Sequence, residues 1–386
     1  MRTFELPADP AFWQDPAPFF RPALAAGDGL FASSNGLSVL GYDALFALGR
    51  DPRIDGHPFP PDGFGPDKAD ILALLRWGLF ALTVPEHRGL RQAVIAGLST
   101  QRIEALRPTI RHLADTARRH LLGAASPDLI RDFVTPLSAG TFCALVGVDQ
   151  QHAGGIGSAI AAIGEQLSFA PAPERLAAAN QKARDLLRLL HGLESDGKSE
   201  LMRDMAARLP KGSAVQAADL VAGFAFDAVE TTISGVFCVL NCLMQQERLG
   251  LALSAGHYTL SDAVQEAFRL TSPTILTVRM ATEDVVWRGE TITAGTSLTM
   301  WWPSGNLDGR AFRRPSQFDP ARSAKRHLAF GVGGHSCLGR QLALLLAEEA
   351  VRILLLDGGP RIVRVGEPRF LPRFSRLSES APIRFA

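Results

Sequence analysis

The sequence predicts a mainly α-helical fold with a smaller β-rich part, built as a single large domain over residues 1–386. Three observations carry that expectation. From Ile71 to Ala255 apolar residues recur at helical spacing with few interruptions. After Pro273 the pattern turns to short apolar runs typical of strands. Length alone would allow two or three domains, but no linker-like run divides the chain.

Taken in order, Leu30 to Leu40 (LFASSNGLSVL) predicts a hairpin with Asn35-Gly36 as its turn. Tyr42 to Leu48 predicts a helix. Ile54 to Asp67 (IDGHPFPPDGFGPD) is so rich in Pro and Gly that it predicts loop. The helical spacing then predicts helices over 71–80, 86–97, 101–122, 127–146, 154–168, 174–194, 199–208, 216–245, 247–255 and 261–270. Leu220 to Met244 is apolar nearly all round, which places it at the centre of the protein. Strands are expected at 275–281, 284–287 and 291–300. Residues 301–336 show little regular pattern, and so long a stretch is usually functional. A helix over 338–355 and paired strands at 360–366 and 381–386 complete the chain.

The chain is 46% hydrophobic and 20% charged, as expected for a globular protein with a large core. A formal net charge of +1 gives no electrostatic basis for binding nucleic acid or a membrane surface. The four cysteines, Cys143, Cys238, Cys242 and Cys337, are too few for a disulfide framework and point to a reducing compartment. Cys238 and Cys242, four apart in an apolar run, fit two small core residues better than half a metal site. The N-terminus (MRTFELPADPAFWQDP) carries no cleavable signal, and no segment is expected to reach the roughly 20 apolar residues that span a bilayer. The expectation is a cytoplasmic monomer with no membrane insertion.

The chemistry centres on Phe330-Gly331-Val332-Gly333-Gly334-His335-Ser336-Cys337-Leu338-Gly339-Arg340, followed by a strong helix-forming run. A thiol at a helix N-terminus is expected to ionise more easily, and thiolate is the form that ligates iron. Glycines such as Gly331 and Gly339 allow tight turns and close approach to a flat ligand. Phe330 can cover the sulfur and keep water out. This loop resembles the haem-binding loop of the cytochrome P450 family, F-G-x-G-x-H-x-C-x-G-x-x-L-A, and matches every fixed position through Leu342 and Ala343.

The resemblance implies the cytochrome P450 fold, haem b (iron protoporphyrin IX) as cofactor and Cys337 as the iron ligand. Further motifs follow in family order. Pro85-Glu86-His87-Arg88-Gly89-Leu90-Arg91 resembles the early helix whose His and Arg, four apart on one face, meet the haem propionates. With Arg279 and His335 these give four propionate partners. Glu266-Ala267-Phe268-Arg269 resembles the structural E-x-x-R helix, and the RPSQFDPAR segment supplies Arg322 as its third partner.

Phe226 to Thr232 (FDAVETT) resembles the oxygen-activation segment A-G-x-[DE]-T-T, with Glu230 and Thr231 as its acid–alcohol pair. A proton relay of that kind needs a titratable group and a hydroxyl within hydrogen-bond reach. Thr231 can equally back-bond to the carbonyl one turn earlier. The chain departs from the family in having Asp227-Ala228 where two small residues are usual. Asp227 would bind a cationic or hydroxylic part of the substrate, join the relay, or make a structural hydrogen bond away from the pocket.

The family's pocket positions map to Leu79 and Phe80, to Leu167 and Phe169, to Phe224, Asp227 and Ala228, to Ile275 and Leu276, and to Phe374. Most are apolar, as small-molecule pockets generally are. The resemblance therefore implies a bacterial-type haem-thiolate monooxygenase that takes dioxygen and a largely apolar small organic substrate. The chain shows no flavin or iron–sulfur motif, so electrons are expected from a separate ferredoxin and its NAD(P)H-dependent ferredoxin reductase. Arg340 and the surface of the His87 helix are the expected contacts. A peroxide-driven, isomerising or dehydrating enzyme on the same scaffold, or a non-enzymatic haem sensor, are the alternatives.

Overall fold

The structure is a computed structural model and describes residues 1–27, 29–57, 66–82, 86–322 and 326–386. Its axis is the 27-residue helix Ala217–Leu243. Asp219 caps its start by accepting from the Gln216 N–H at 2.8 Å. The two oxygens of Glu194 take the next two N–H groups, those of Ala217 and Ala218. Among the described residues seven α-helices pack around it: Ala69–Leu75, Thr135–Val146, Ala153–Gln166, Leu176–Ser195, Glu200–Ala206, Leu260–Thr271 and Arg340–Val351. Gly223 allows the closest approach: a Cβ there would lie 2.4 Å from the Gly78 nitrogen. By length and composition this helix is apolar enough to cross a bilayer, which corrects the expectation that no segment is. However, 67% of its apolar window is buried inside the protein, as for a core helix.

The β-rich part is a five-stranded sheet in the spatial order Leu30–Ser33, Gly36–Val39, Ser297–Trp301, Leu276–Ala281, Ile54–Gly56. Gly36–Val39 runs parallel to Ser297–Trp301, and the other pairs are antiparallel. Two-stranded ribbons form from Val285–Trp287 with Glu290–Ile292 and from Ile362–Arg364 with Ile383–Phe385. Trp301 is 1% exposed and meets Phe4 and Phe12 edge-on, anchoring the N-terminal segment to the sheet.

The mainly helical expectation holds, with local corrections. Ile54–Gly56, expected as loop, is an edge strand paired with Leu276–Ala281; the part of that loop at 58–65 lies outside the described residues. The hairpin turn falls on Ser34-Asn35, because Ser33 pairs with Gly36. The expected helix 101–122 is two, Thr100–Ala105 and Arg107–Gly123, since Pro108 cannot continue the first helix but suits the first turn of the second. The helix expected at 71–80 stops at Leu75 and gives way to a 3-10 turn over Leu79–Ala81. The strand expected at 291–300 is broken at Gly295, whose φ is +81°. Within 301–336 a short helix, Trp302–Asn306, was not expected.

Candidate active site

The cysteine loop is set by backbone geometry. Gly331 and Gly333 have φ of +62° and +74°, conformations that other residues adopt with strain. Gly333 is also packed so tightly that a Cβ would lie 2.1 Å from the Gly49 carbonyl oxygen. The Cys337 N–H donates to the Phe330 carbonyl at 2.9 Å, closing the loop. Phe330 packs at a tilt against Phe268, ring centroids 4.9 Å apart, and lies under the Arg340 guanidinium. Arg340, expected at the docking surface, is half-buried here and also bonds Gln265.

Cys337 is an exposed residue, yet protein surrounds its sulfur closely enough for desolvation to push the thiol up to about 11. The sulfur therefore faces an internal hollow. The ease of ionisation expected at a helix N-terminus is overturned. The helix begins only at Arg340, and the Gly339 N–H, Arg91 and Arg340 favour thiolate less than burial opposes it. A metal cation at the sulfur would supply the missing positive charge.

Across the hollow stands the central helix. Between Leu220 and Leu240 it is buried except at Phe224, Phe226, Asp227, Ala228, Thr231 and Thr232. Positions 224, 227, 228 and 231 recur at helical spacing and form one face. Asp227 is close enough to Cys337 for its charge to raise the thiol pKa. Thr231 donates its hydroxyl proton to the Asp227 carbonyl, the back-bond expected of a threonine inside a helix.

Glu230 does not join Thr231. Successive residues on a helix are turned by about 100°, so the Glu230 side chain leaves the hollow and runs to the C-terminal loop. There Arg373 Nη1 donates to it at 3.0 Å and the Ser375 hydroxyl at 2.7 Å. Gly164 leaves the room, since a Cβ there would sit 1.9 Å from Glu230 Oε2. Burial raises the pKa of Glu230, against the pull of Arg373 and Ser375. Neither Arg373 nor Ser375 carried a sequence signal, because each lies more than 140 residues from Glu230. The Asp227 carboxyl makes no hydrogen bond or ion pair among the described residues. Burial, then the nearby Glu230 charge, push its carboxyl up to about 7.

At one edge lies a second cluster. His87 and His335 stack at 3.9 Å, and His335 Nε2 lies 2.5 Å from Asp55 Oδ1. Asp55 was not anticipated, since its segment was expected to be loop; the sheet register sets it opposite Met280, with Gly56 opposite Arg279, and its charge reaches the Arg279 guanidinium. Arg91 Nη2 donates to the Ser336 carbonyl at 2.6 Å, tying the His87 helix, Glu86–Gly97, to the cysteine loop. Pro85 of that motif lies outside the described residues. Burial, then Arg91, lower His87 to about 4; burial, then Arg279, lower His335 to about 3, so both are neutral at pH 7. Burial lowers Arg279 to about 10, which leaves it a cation.

Asp55, His87 and His335 place ligand atoms within 4.8 Å of one another, a spacing that would suit a metal ion. The neighbouring Arg91 and Arg279 disfavour one. Among the described residues buried His87 Nε2 has no partner, and the guanidinium of buried Arg279 makes no hydrogen bond. An orphaned donor nitrogen beside two guanidinium groups suits carboxylates, and therefore the propionates of haem. With a thiol facing the same hollow, the residues present fit that cofactor.

The supporting cluster is fully formed. Arg269 grips Glu266 with two bonds of 2.8 Å, and Arg322 Nε approaches Glu266 at 3.4 Å. Arg269 also donates to the carbonyls of Asn306 and Pro315, fixing the segment that leads to the cysteine loop.

The expected pocket residues divide into three places. Leu79, Phe80, Leu167, Phe224 and Ala228 pack at the margin of the main core. Phe169 and Phe374 pack against each other at a tilt, ring centroids 4.9 Å apart, and are 40% and 42% exposed. Ile275 and Leu276 are buried in the separate cluster around Trp301.

Comparison with known proteins agrees with this arrangement. The family profile "Cytochrome P450" matches residues 258–355. The chain is 27% identical over 368 residues to a biotin biosynthesis cytochrome P450 of Bacillus subtilis (strain 168), covering 92% of each. It is 30% identical over 312 residues to cytochrome P450 107B1 of Saccharopolyspora erythraea, covering 78% of this chain and 75% of that one. The fold superposes with a TM-score of 0.86 on P450BioI in complex with hexadec-9Z-enoic acid ligated acyl carrier protein, at 26% identity, covering 97% of this chain and all of that one. A cysteine facing the central helix across a hollow, an anion cradle at its edge and similarity of this breadth lead to one conclusion: the chain belongs to the cytochrome P450 family, whose cofactor is haem b.

Proposed function

We propose that the protein is a haem-thiolate monooxygenase that inserts one oxygen atom from dioxygen into a largely apolar small organic substrate. Its electrons come from a separate ferredoxin and an NAD(P)H-dependent ferredoxin reductase. The observation that carries this reading is the Cys337 sulfur facing, across one internal hollow, the Asp227–Thr231 face of the central helix.

In this reading Cys337 ligates the iron. His87, Arg91, Arg279 and His335 hold the propionates, and Phe330, Gly331 and Gly339 shape the loop around the sulfur. Gly339 lies close to that sulfur, with the position of a Cβ there 3.8 Å away. When bound, thiolate-ligated haem supplies dioxygen activation and C–H oxidation. The chain's own residues do the rest. Thr231, its proton committed to the Asp227 carbonyl, presents its lone pairs to the hollow as an acceptor. Arg373 and Ser375 hold the Glu230 carboxyl, so protons reach the pocket from it only after those bonds open. Leu79, Phe80, Phe224 and Ala228 give the substrate side an apolar wall that excludes water.

The test is a purified preparation reduced and treated with carbon monoxide. Wild type should show the far-shifted Soret band of sulfur-ligated iron, and Cys337→Ser should not. With a ferredoxin and its reductase, NAD(P)H consumption should rise with substrate. A wild-type protein without that band would overturn the reading.

A further inference from the structure

We propose that Asp227 is a specificity-determining residue that binds a cationic group, such as an alkylammonium, on an otherwise apolar substrate. The inference rests on the monooxygenase reading only for the location of the substrate.

A carboxyl removed from bulk water needs a donor or a cation, or its charge is costly. The neighbouring carboxyl, Glu230, has both, in Arg373 and Ser375. Asp227 has neither among the described residues, although it lies on the face that looks towards Cys337. Its neighbours on that face, Phe224, Ala228 and Thr231, are apolar or already committed: the Thr231 proton goes to the backbone. A structural hydrogen bond away from the pocket is therefore not its role.

The surrounding charge selects the sign of the ligand. On its own helix Glu230 lies within electrostatic reach of Asp227, and its charge disfavours Asp227 ionisation. Across the hollow it faces Cys337, and the two groups repel as anions. The arginines of the site are placed elsewhere. Arg373 is spent on Glu230, Arg91 is bonded to Ser336, and Arg340 lies over Phe330 beside Gln265. Anionic ligands are repelled at this point, alcohols gain one hydrogen bond, and a cation gains an ion pair shielded from water. Phe224, one turn earlier, offers the apolar surface along which the rest of such a ligand would lie.

Ten-carbon probes test this on the haem-loaded enzyme by calorimetry at pH 8: decyltrimethylammonium, 1-decanol and decanoate. The quaternary cation has no lone pair with which to ligate iron. Wild type should bind the cation about tenfold or more tighter than decanol, as expected for a charge pair shielded from water, and decanoate weakest. Asp227→Asn should lose about tenfold for the cation and leave decanol nearly unchanged, while Asp227→Glu should keep the cation preference. Because burial raises the Asp227 carboxyl to about 7, cation binding near pH 7 should release a fraction of a proton. That release is read from enthalpies in buffers of different ionisation heat, and it should vanish in Asp227→Asn. Unchanged decanol affinity shows that the variant is folded. Decanoate binding as tightly as the cation, or a cation preference that survives in Asp227→Asn, overturns the proposal. Calorimetry needs no signal from the haem. A normal carbon monoxide spectrum with no cation preference sinks this inference alone, and an absent thiolate band sinks the functional reading instead.

Discussion

Replacing Glu266 with Ala should separate haem loading from simple folding. The carboxylate is 6% exposed and accepts two bonds of 2.8 Å from Arg269, which is 1% exposed. It also accepts the Asp319 N–H at 3.0 Å and lies 3.4 Å from Arg322. Removing one partner of a buried pair costs about 3–5 kcal/mol. Arg269 keeps the Asn306 and Pro315 carbonyls as acceptors, so the loss should fall at the lower end, about 3 kcal/mol. For a chain of this length that corresponds to a fall in Tm of about 4 °C. Glu266→Gln keeps the shape and an acceptor and should cost only about 1–2 kcal/mol. The cluster pins the segment that runs into the cysteine loop, so Glu266→Ala should also purify with a reduced ratio of haem to protein. Urea unfolding followed by circular dichroism gives the stability, and the Soret-to-280 nm ratio gives the loading. A variant that unfolds within about 1 kcal/mol of wild type and carries a full complement of haem would refute the reasoning.

Other perturbations probe the remaining parts. Gly333→Ala should cost about 2–3 kcal/mol, because it adds a clash with the Gly49 carbonyl to an unfavourable φ; urea unfolding measures it. His87→Ala removes the orphaned buried donor and should speed haem transfer to excess apomyoglobin about 10- to 100-fold, the equivalent of a charge-assisted hydrogen bond. Arg373→Ala strands the Glu230 carboxyl in the core and should lower stability by about 3 kcal/mol, and Glu230→Gln in the same background should recover part of it. For Asp227 the sign follows from a folded pKa of about 7, raised above the unfolded value. The folded state holds a proton that the unfolded state has released, so stability is lost as pH rises from about 4 to 7. Asp227→Asn should therefore raise the urea midpoint over wild type at pH 8 and leave it unchanged near pH 4.

Local pattern was sufficient for the elements that a single stretch of chain determines. The central helix, the His87 helix and the cysteine loop could be read because helical spacing and the loop motif are each contiguous in the sequence. The Glu266–Arg269 pair was legible for the same reason, since its members lie three positions apart on one helix. Contacts made across the fold were not. Asp55 reaches His335 only because Ile54–Gly56 joins a sheet whose partner strand lies more than 200 residues away, and its Pro- and Gly-rich surroundings read as loop. Arg373 and Ser375 sit in a terminal loop with no motif of its own. The thiol's behaviour was misjudged because dipole arguments are local, whereas desolvation depends on everything packed around the sulfur.

The two carboxyls of the central helix show how three residues of separation produce opposite fates. Asp227 lies one turn before Thr231 and therefore on the face turned to the cysteine loop, while Glu230 is rotated by about 100° from Thr231 and emerges against Gly164. A larger residue at 164 would collide with the Glu230 carboxyl, so the small residue on a neighbouring helix decides where the acid rests. Arg373 and Ser375 then hold it on the loop that also carries Phe374, which packs against Phe169. Any movement of that loop strains the bonds on Glu230. Displacing the aromatic pair thus pulls on the acid's partners, and Glu230 can turn towards the hollow only if they let go. Asp227 has no such tether, so its charge responds to whatever enters the hollow, while that of Glu230 responds to the loop above it.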